Sequence, residues 1–381
     1  MNVSLKKQGY KYTEEFGYIP EDWEVRPLEE CANFRNGVAH EDIIDKNGDF
    51  ILVNSKFIST DGNTKKFVNK VRLPLYKNEI VIVLSDVPNG KALAKCFVIN
   101  KDNLYTLNQR IGCMTVKDHV NCKYLHRAIN RHKKLLSYND GINQTNLNNE
   151  AILKCPILLP PLKEQEKIAE VLENIDGLID KTQQLINKKK DLKTATMQKL
   201  LAPKDDWKVK KLGEICANIT TGKLDANAMV ENGEYRFYTC AKEYYMIDRY
   251  AFDGEALLVS GNGANVGYIH YYNGKFNAYQ RTYVLQNFSE NIFYIKYYMD
   301  KFLSDRITSE VNAGNTPYIK LDTITDMIIK YPVNQKEQEK IATILSDMDA
   351  EIEALEKEFS KYQDLKTGMM QQLLTGKVRL V

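Results

Sequence analysis

Polar side chains able to bind the edges of nucleotide bases, or phosphates, recur in short Gly- and Asn-rich stretches of this sequence. Asn and Gln amides pair with base edges, whereas Lys and Arg neutralise phosphates. For any single residue, a structural role in a turn is about as good an explanation as binding to a nucleotide. Only the residues taken together favour binding. The first half of the chain supplies Asn54, Ser55, Lys56, Asp86, Asn89, Lys91, Asn108, Gln109, Arg110 and Gln144. The second half supplies Lys223, Thr239, Lys242, Asn262, Asn265, Tyr279, Gln280, Arg281, Asn315 and Thr316.

Sequence patterns of catalysis are missing around these residues. The glycines of Gly261-Asn262-Gly263…Gly267 are not a dinucleotide fingerprint, because the third glycine comes one residue late. Thr220-Thr221-Gly222-Lys223 lacks the upstream glycine of a phosphate loop. No Asn-Pro-Pro-aromatic motif, helicase box, nuclease carboxylate cluster or hydrolase pattern is recognisable. The seven cysteines form no Cys-x-x-Cys pair, and the histidines lack zinc-helix spacing, so the sequence predicts no catalytic residue, metal or cofactor.

A repeated helix must position the polar stretches. Lys163–Ala169 and Lys336–Ala342 both read Lys-Glu-Gln-Glu-Lys-Ile-Ala, and each follows a proline, as helix beginnings do. Apolar residues then follow a heptad, which predicts a coiled coil between the two copies. The first copy contributes Ile168, Leu172, Ile175, Ile179 and Ile186, and the second contributes Ile341, Leu345, Met348, Ile352, Leu355 and Phe359. A further row, Val171, Leu178, Leu185 and Leu192, widens the apolar face of the first helix.

The chain between the helices is also duplicated. Trp23 and Trp207 each begin the pattern Trp-x-Val-x-x-Leu-x-Glu, followed closely by Cys-Ala-Asn. The modules have diverged far more than the helices. The helices therefore kept their geometry, while the modules changed their surfaces. Only a few residues separate Leu201 from Trp207, so the chain cannot return to the starting end of the first helix before the second module begins. This connectivity favours an antiparallel helix pair with one module at each end and pseudo-twofold symmetry.

Each module is predicted to be a small α+β domain. Short β-branched runs at 50–53, 79–84, 256–259 and 282–285 predict strands, and helices are expected around 121–137 and 291–308. Residues 1–20 are expected to be a loosely held leader. The fold class is therefore α+β, with two pseudo-twofold-related small α+β domains separated by a long antiparallel two-helix coiled coil. The predicted divisions are 1–159 for the first domain, 160–202 for the first helix, 203–332 for the second domain, and 333–381 for the second helix and tail.

Composition limits the class of protein only loosely. The formal net charge is +3, but the two predicted helices together carry a negative excess. The modules are therefore moderately basic, which is compatible with nucleic acid. No apolar run is long enough to span a membrane, and the first residues lack the apolar region of a signal peptide. Cysteine usage is typical of reduced thiols, so we expect a cytoplasmic protein.

The order of module, Pro-Pro-Leu-Lys-Glu-Gln-Glu-Lys-Ile-Ala helix, module and Lys-Glu-Gln-Glu-Lys-Ile-Ala helix resembles the specificity subunit of type I restriction-modification systems over nearly the whole chain. The resemblance implies that each module is a target recognition domain for one half of a split, asymmetric site in double-stranded DNA. It implies that the helix pair fixes the gap between the halves and docks two modification (methyltransferase) subunits. A restriction-translocase subunit is an optional further partner, and the subunit itself is non-catalytic.

This reading predicts specific consequences of substitution and leaves alternatives open. Replacing Gln280 or Arg281 should relax only one half of the target, whereas loss of all binding would indicate a phosphate contact. Outer-face charges such as Lys188–Lys190, Glu351, Glu353 and Glu356 are candidates for partner docking or, equally, solvated residues. The chain could instead be a coiled-coil assembly protein without DNA readout. A self-contained methyltransferase or nuclease is a third possibility, against which the missing motifs count.

Overall fold

The computed structural model describes residues 9–87, 90–139, 144–310 and 318–381. The chain forms two compact units, Met1–Lys181 with Phe359–Val381, and Thr182–Glu358. Each unit contains one small α+β domain and a part of each of two 39-residue helices. In the described residues no helix is long and apolar enough to cross a membrane.

Short strands and short helices make up the first domain. Its chain runs β1 (Tyr10–Thr13), β2 (Gly17–Pro20), β3 (Glu24–Pro27), α1 (Leu28–Cys31), β4 (Ala32–Asn36), β5 (Phe50–Val53), α2 (Ser55–Ser59), β6 (Phe67–Val68), β7 (Pro74–Leu75), β8 (Ile80–Val83), β9 (Ser85–Asp86), β10 (Cys96–Val98), β11 (Tyr105–Leu107), β12 (Ile111–Val116), α3 (Cys122–Ile129), α4 (Lys133–Leu136), β13 (Thr145–Asn146), α5 (Asn149–Leu153) and β14 (Pro156–Leu159). The long helix α6 (Leu162–Leu200) follows.

The second domain repeats this order in a shorter form. Its elements are β15 (Lys208–Lys211), α7 (Leu212–Ile215), β16 (Cys216–Thr221), β17 (Tyr235–Tyr238), β18 (Tyr245–Ile247), β19 (Glu255–Ser260), β20 (Ile269–Asn273), β21 (Phe276–Ala278), β22 (Thr282–Phe288), α8 (Ile292–Glu310), α9 (Leu321–Thr325) and β23 (Ile328–Tyr331). The second long helix is α10 (Gln335–Leu373).

The sheets demonstrate that the two domains share one topology. An antiparallel four-stranded sheet has the order β10-β8-β12-β4 in the first domain and β20-β19-β22-β16 in the second. A smaller sheet pairs β5 with β11 and β17 with β21, in parallel in both cases. A third pairs β3 with β14 in the first domain and β15 with β23 in the second, antiparallel in both cases. The duplication predicted from the tryptophan and cysteine patterns is therefore a duplication of fold.

The long helices run antiparallel in both units. In the first unit the beginning of α6, with Ile168 and Leu172, packs near the end of α10, with Leu373. In the second unit the end of α6 packs with Ile341 and Leu345 at the beginning of α10. Among the predicted coiled-coil positions, the buried ones are Ile168, Leu172, Ile175, Ile186, Ile341, Leu345 and Ile352, and the half-buried ones are Ile179, Met348, Leu355 and Phe359. The heptad positions thus identify the face of each long helix that packs inward.

The row that was expected to widen this face lies largely in solvent. Leu178, Leu185 and Leu192 are 44%, 41% and 50% exposed, and only Val171 packs against the core of the first unit. Most outer charges that were considered for docking are paired within the second unit. Lys189 lies 2.6 Å from Glu351, and Lys190 lies 2.6 Å from Glu356.

Two expectations about the first domain were wrong. Residues 10–20 are not a loose leader: β1 and β2 form a hairpin, and Ile19 is fully buried in the core. The helix expected over 121–137 is broken into α3 and α4. Arg131 adopts a φ of 53° there, and its backbone N–H donates to the Ala94 carbonyl, 2.8 Å away. This bond to the turn before β10 outweighs the local helical tendency.

Candidate nucleic-acid interface

The polar loops of the first domain meet at one edge of its sheets. The backbone N–H of Asn108 donates to Val53 O, which brings the loop after β11 beside the loop after β5. Leu84 N–H donates to Arg110 O, which adds the loop after β8. Thr145 pairs with Asp86, which adds the stretch around β13. The four stretches selected from the sequence are therefore neighbours in space.

Several predicted side chains at this edge are occupied by internal bonds. Asn54 caps α2 by accepting from Phe57 N–H, and Asn108, only 8% exposed, accepts from Arg110 N–H. The Asp86 carboxylate accepts from three backbone N–H groups of its own loop, at Val87, Ala92 and Leu93. Two glutamines bond to side chains, Gln109 to Glu41 and Gln144 to Ser85.

The remaining candidates of the first domain are open to solvent. Lys56, Lys91 and Arg110 are exposed, and their side chains form no hydrogen bond or ion pair with any described residue. Ser55 is half-buried at the start of α2. Three cations therefore lie on loops that converge, which is an arrangement suited to a polyanion.

The loops of the second domain converge in the same way. Tyr279 N–H donates to Tyr238 O, and Gly261 N–H donates to Arg281 O. Lys223 lies beside them, because its neighbour Leu224 forms a parallel bridge with Tyr279.

The predicted side chains of the second domain also divide into occupied and open ones. Thr239 is buried and accepts from Ala241 N–H, Asn265 donates to Cys240 O, and Gln280 donates to Asp225. Lys223, Lys242 and Arg281 are exposed without an ion pair to a described residue. Asn262 and Tyr279 are half-buried. Three further candidates lie outside the described residues, namely Asn89, Asn315 and Thr316.

Sequence reasoning missed an aromatic surface in the second domain, here called the tyrosine shelf and defined by Arg236, Tyr244, Tyr272 and His270. These side chains pack against the buried ring of Tyr238. The Arg236 guanidinium lies 4.2 Å from the ring centre of Tyr244 and 4.5 Å from that of Tyr272. It also donates to the Tyr238 hydroxyl, a hydrogen bond that raises the pKa of Arg236. Burial lowers the pKa of His270, so the ring is neutral at physiological pH. The clustering of tyrosines in the sequence was the available signal.

The shelf is continuous with the loop edge. The Tyr238 ring centre lies 5.0 Å from that of His270, whose Nε2 lies 3.0 Å from Ala241 O in the loop after β17. The exposed Tyr268 ring packs against His270, with Lys242 above it. Aromatic faces and an arginine plane are surfaces on which nucleotide bases stack. Among the described residues of the first domain there is no such cluster, and Phe57 of α2 packs with Phe97 instead.

Sequence reasoning also missed the function of the repeated glutamine in the helix openings. Gln165 is 1% exposed; it accepts from Asn121 N–H and donates to Pro160 O at 2.8 Å. Gln338 is fully buried and forms the same bonds, from Asn291 N–H and to Pro332 O. Gln165 thereby joins α6 to the start of α3, and Gln338 joins α10 to the start of α8. We call these two sites the glutamine joints.

Comparison with known proteins decides the family. A model of the type I restriction modification DNA specificity domain matches this chain twice, at residues 20–189 and 204–361. The chain belongs to the type I restriction-modification specificity subunit family. It is 36% identical over 170 residues to the type I restriction enzyme EcoDI specificity subunit of Escherichia coli, a match spanning 45% of this chain and 37% of that protein. It is 23% identical to the type I restriction enzyme MjaVIII specificity subunit of Methanocaldococcus jannaschii, over 95% and 94% of the two chains.

Solved structures support the fold of this specificity subunit. The crystal structure of the type I restriction-modification system S subunit from M. genitalium superimposes with a TM-score of 0.67 at 17% identity, over 95% of this chain and 97% of that chain. A structure concerned with complex assembly and conformational transition of the type I R-M system gives a TM-score of 0.51 at 13% identity, over 94% and 99%.

Proposed function

We propose that each domain of this specificity subunit reads one half of a bipartite, asymmetric site in double-stranded DNA. The proposed recognition domains are residues 1–159 and 203–332. One observation carries the proposal: the two domains hold their loops in the same backbone frame but present different side chains on it. A shared frame places both loop edges on DNA alike, whereas the unlike surfaces, α2 in one and the tyrosine shelf in the other, select different bases.

We propose that the helices, within residues 160–202 and 333–381, set the number of base pairs between the half-sites and dock two modification (methyltransferase) subunits. The exposed Leu185 and Leu192, one heptad apart on α6, are an apolar surface suited to a partner helix. This surface is a better candidate than the outer charges considered for docking, most of which are already paired within the chain. A restriction-translocase subunit is an optional further partner in this proposal.

The chain itself is proposed to be non-catalytic and to need no cofactor. Its candidate residues are amides, cations and aromatic rings, which bind rather than transform a nucleic acid. Methyl transfer would belong to the modification subunits. The proposed location is the cytoplasm, where the DNA target of a restriction-modification system is accessible.

A map of methylated bases tests this function. We would co-express the chain with its candidate modification subunit in a host lacking other methyltransferases and sequence the modified genome. A split motif with two unlike halves and a fixed gap is expected. A continuous or symmetric motif would contradict the two-domain reading, and absence of new methylation despite a soluble complex would favour an assembly role.

A further inference from the structure

The turns that carry the two Gln-Arg pairs each link strands of two different sheets, and they have the same backbone bonds. In the first domain, Ile111 N–H donates to Asn108 O at 3.0 Å, closing the loop that holds Gln109 and Arg110. In the second, Thr282 N–H donates to Tyr279 O at 2.8 Å around Gln280 and Arg281. The carbonyl of each arginine accepts from the strand beside it, from Leu84 N–H in one case and Gly261 N–H in the other.

A glycine packed against each turn completes the common frame. A Cβ atom on Gly37 would lie 1.9 Å from Asn108 O, and one on Gly222 would lie 1.9 Å from Ala278 O. Any larger residue would therefore displace the neighbouring backbone. The residue after β4 in the first domain, and the residue after β16 in the second, thus fixes the position of the Gln-Arg turn beside it.

Each glutamine is held by an acidic residue that follows this glycine. Gln109 Nε2 donates to Glu41 Oε1 at 3.0 Å, and Gln280 Nε2 donates to Asp225 Oδ1 at 2.7 Å. The adjoining Arg110 and Arg281 are exposed and form no ion pair with a described residue. The amide is thus engaged within the protein, and the guanidinium is left to bind something else.

An element that is the same in both domains cannot by itself select different half-sites. Base readout must come from the surfaces that differ, α2 and the tyrosine shelf. On this basis we propose that each acid–Gln–Arg arrangement is a backbone clamp, in which the arginine binds a DNA phosphate and the glutamine is a positioning residue. The clamps are Glu41–Gln109–Arg110 and Asp225–Gln280–Arg281. This inference rests on the proposed function and adds a sequence-independent part to it.

The test measures affinity and salt dependence with the full chain bound to its modification subunit. The variants are Arg110→Gln, Arg281→Gln and the double variant, assayed on a duplex carrying the mapped site and on a scrambled duplex. Each substitution should lower affinity for both duplexes about five- to tenfold. It should also reduce the slope of log K against log salt by about 0.9, as expected for one lost phosphate contact. The methylated motif should stay unchanged.

Two controls separate charge from structure. Arg281→Lys keeps the charge and should keep the salt slope. Lys210→Gln removes an exposed cation from β15, in the sheet that leads into α10, and should change neither quantity. A double-mutant cycle tests the glutamine: Gln280→Leu should weaken binding, and Gln280→Leu with Arg281→Gln should be no weaker than Arg281→Gln alone.

The failures are distinguishable. An unchanged slope and affinity in Arg281→Gln would overturn the clamp, as would relaxation of one base in the methylated motif, which would make the arginine a base reader. Either result leaves the split-site function intact. Absence of a split motif in the wild type would instead defeat the proposed function itself.

Discussion

At the residue scale, a buried carboxylate holds a network of polar contacts in the first unit. Glu164 is 3% exposed and accepts from the Trp23 indole and the Arg379 guanidinium. Arg379 also bonds to both carboxylate oxygens of Asp22. The second unit repeats the tryptophan and the glutamate but not this network. Trp207 Nε1 is buried without a described partner, and Glu337 pairs instead with Lys204.

Removing Arg379 should therefore cost far more than removing Lys204. The Arg379→Ala variant leaves the Glu164 charge buried with fewer partners, and we expect a loss of about 2–3 kcal/mol in the first unit. This is below the value for a fully buried pair, because the arginine is partly exposed. The matched Lys204→Ala variant breaks a largely exposed pair, which solvent screens, so its cost should be clearly smaller than that of Arg379→Ala. Hydrogen exchange of each unit measures both values, and equal losses would contradict the assignment.

Glu164 should also make stability depend on pH. Burial alone would raise its pKa, but hydrogen bonds from Arg379, Trp23 and the Leu380 backbone outweigh burial and lower it. A lowered folded pKa gives a contribution that is complete above the unfolded value, near 4.3, and is lost as pH falls through the folded value. Glu164→Gln should thus be about 1–3 kcal/mol less stable at pH 7. The difference in thermal midpoint from the wild type should shrink below about pH 4; a difference independent of pH would contradict this prediction.

The sequence could identify the polar loops but not the task of each side chain. Asn54 was selected because asparagine binds bases, yet the same amide caps a helix here. The two uses cannot be separated without knowing where α2 begins. Arg236 was missed for the opposite reason, since its stacking partners, Tyr244 just before β18 and Tyr272 on β20, meet only in the fold.

At the element scale, the glutamine joints explain why the helix openings repeat more closely than the domains. Gln165 and Gln338 each satisfy a backbone N–H at the start of a domain helix and a carbonyl just before a long helix. Each amide also donates a third bond, to His119 O from Gln165 and to Glu290 from Gln338. A buried amide with three bonds tolerates few replacements, because any bond left unmade costs the desolvation of its partner. The domain surface has no such restriction.

We expect Gln338→Leu to destabilise the second unit by about 2–4 kcal/mol, since it leaves Asn291 N–H and Pro332 O without a partner. The neighbouring Glu339→Gln, on the exposed side of the same turn, should change stability by less than about 0.5 kcal/mol. Thermal unfolding of the two variants makes the comparison. A Gln338→Leu protein as stable as the Glu339→Gln protein would show that the joint contributes nothing to stability.

The elements themselves were predictable where local pattern and tertiary contacts agree. The heptad of α6 and α10 is such a case, because the periodic residues are those that pack. The break between α3 and α4 is the opposite case. It depends on the backbone N–H of Arg131, which donates to the carbonyl of Ala94, a residue 37 positions away. Nothing in the local sequence indicates this bond.

At the scale of the whole molecule, the proposed spacing role predicts how the target changes with helix length. Inserting four residues, about one turn, at equivalent places in α6 and α10 should alter the gap in the methylated motif and leave both half-sequences unchanged. The methylome of cells expressing the variant gives the answer directly. A change in either half-sequence with an unaltered gap would mean that the helices do not set the spacing.

The two units also differ in how they are built from the chain, and this has a consequence during synthesis. The second unit is one continuous segment, Thr182–Glu358, whereas the first needs Phe359–Val381 to cover Ile168 and Leu172. At about 5–20 residues per second, a ribosome takes roughly 9–36 s to make the segment in between. The second unit can close as soon as it is made, but the first waits with an apolar helix face uncovered. The nascent first half is therefore the part of this protein most in need of a chaperone.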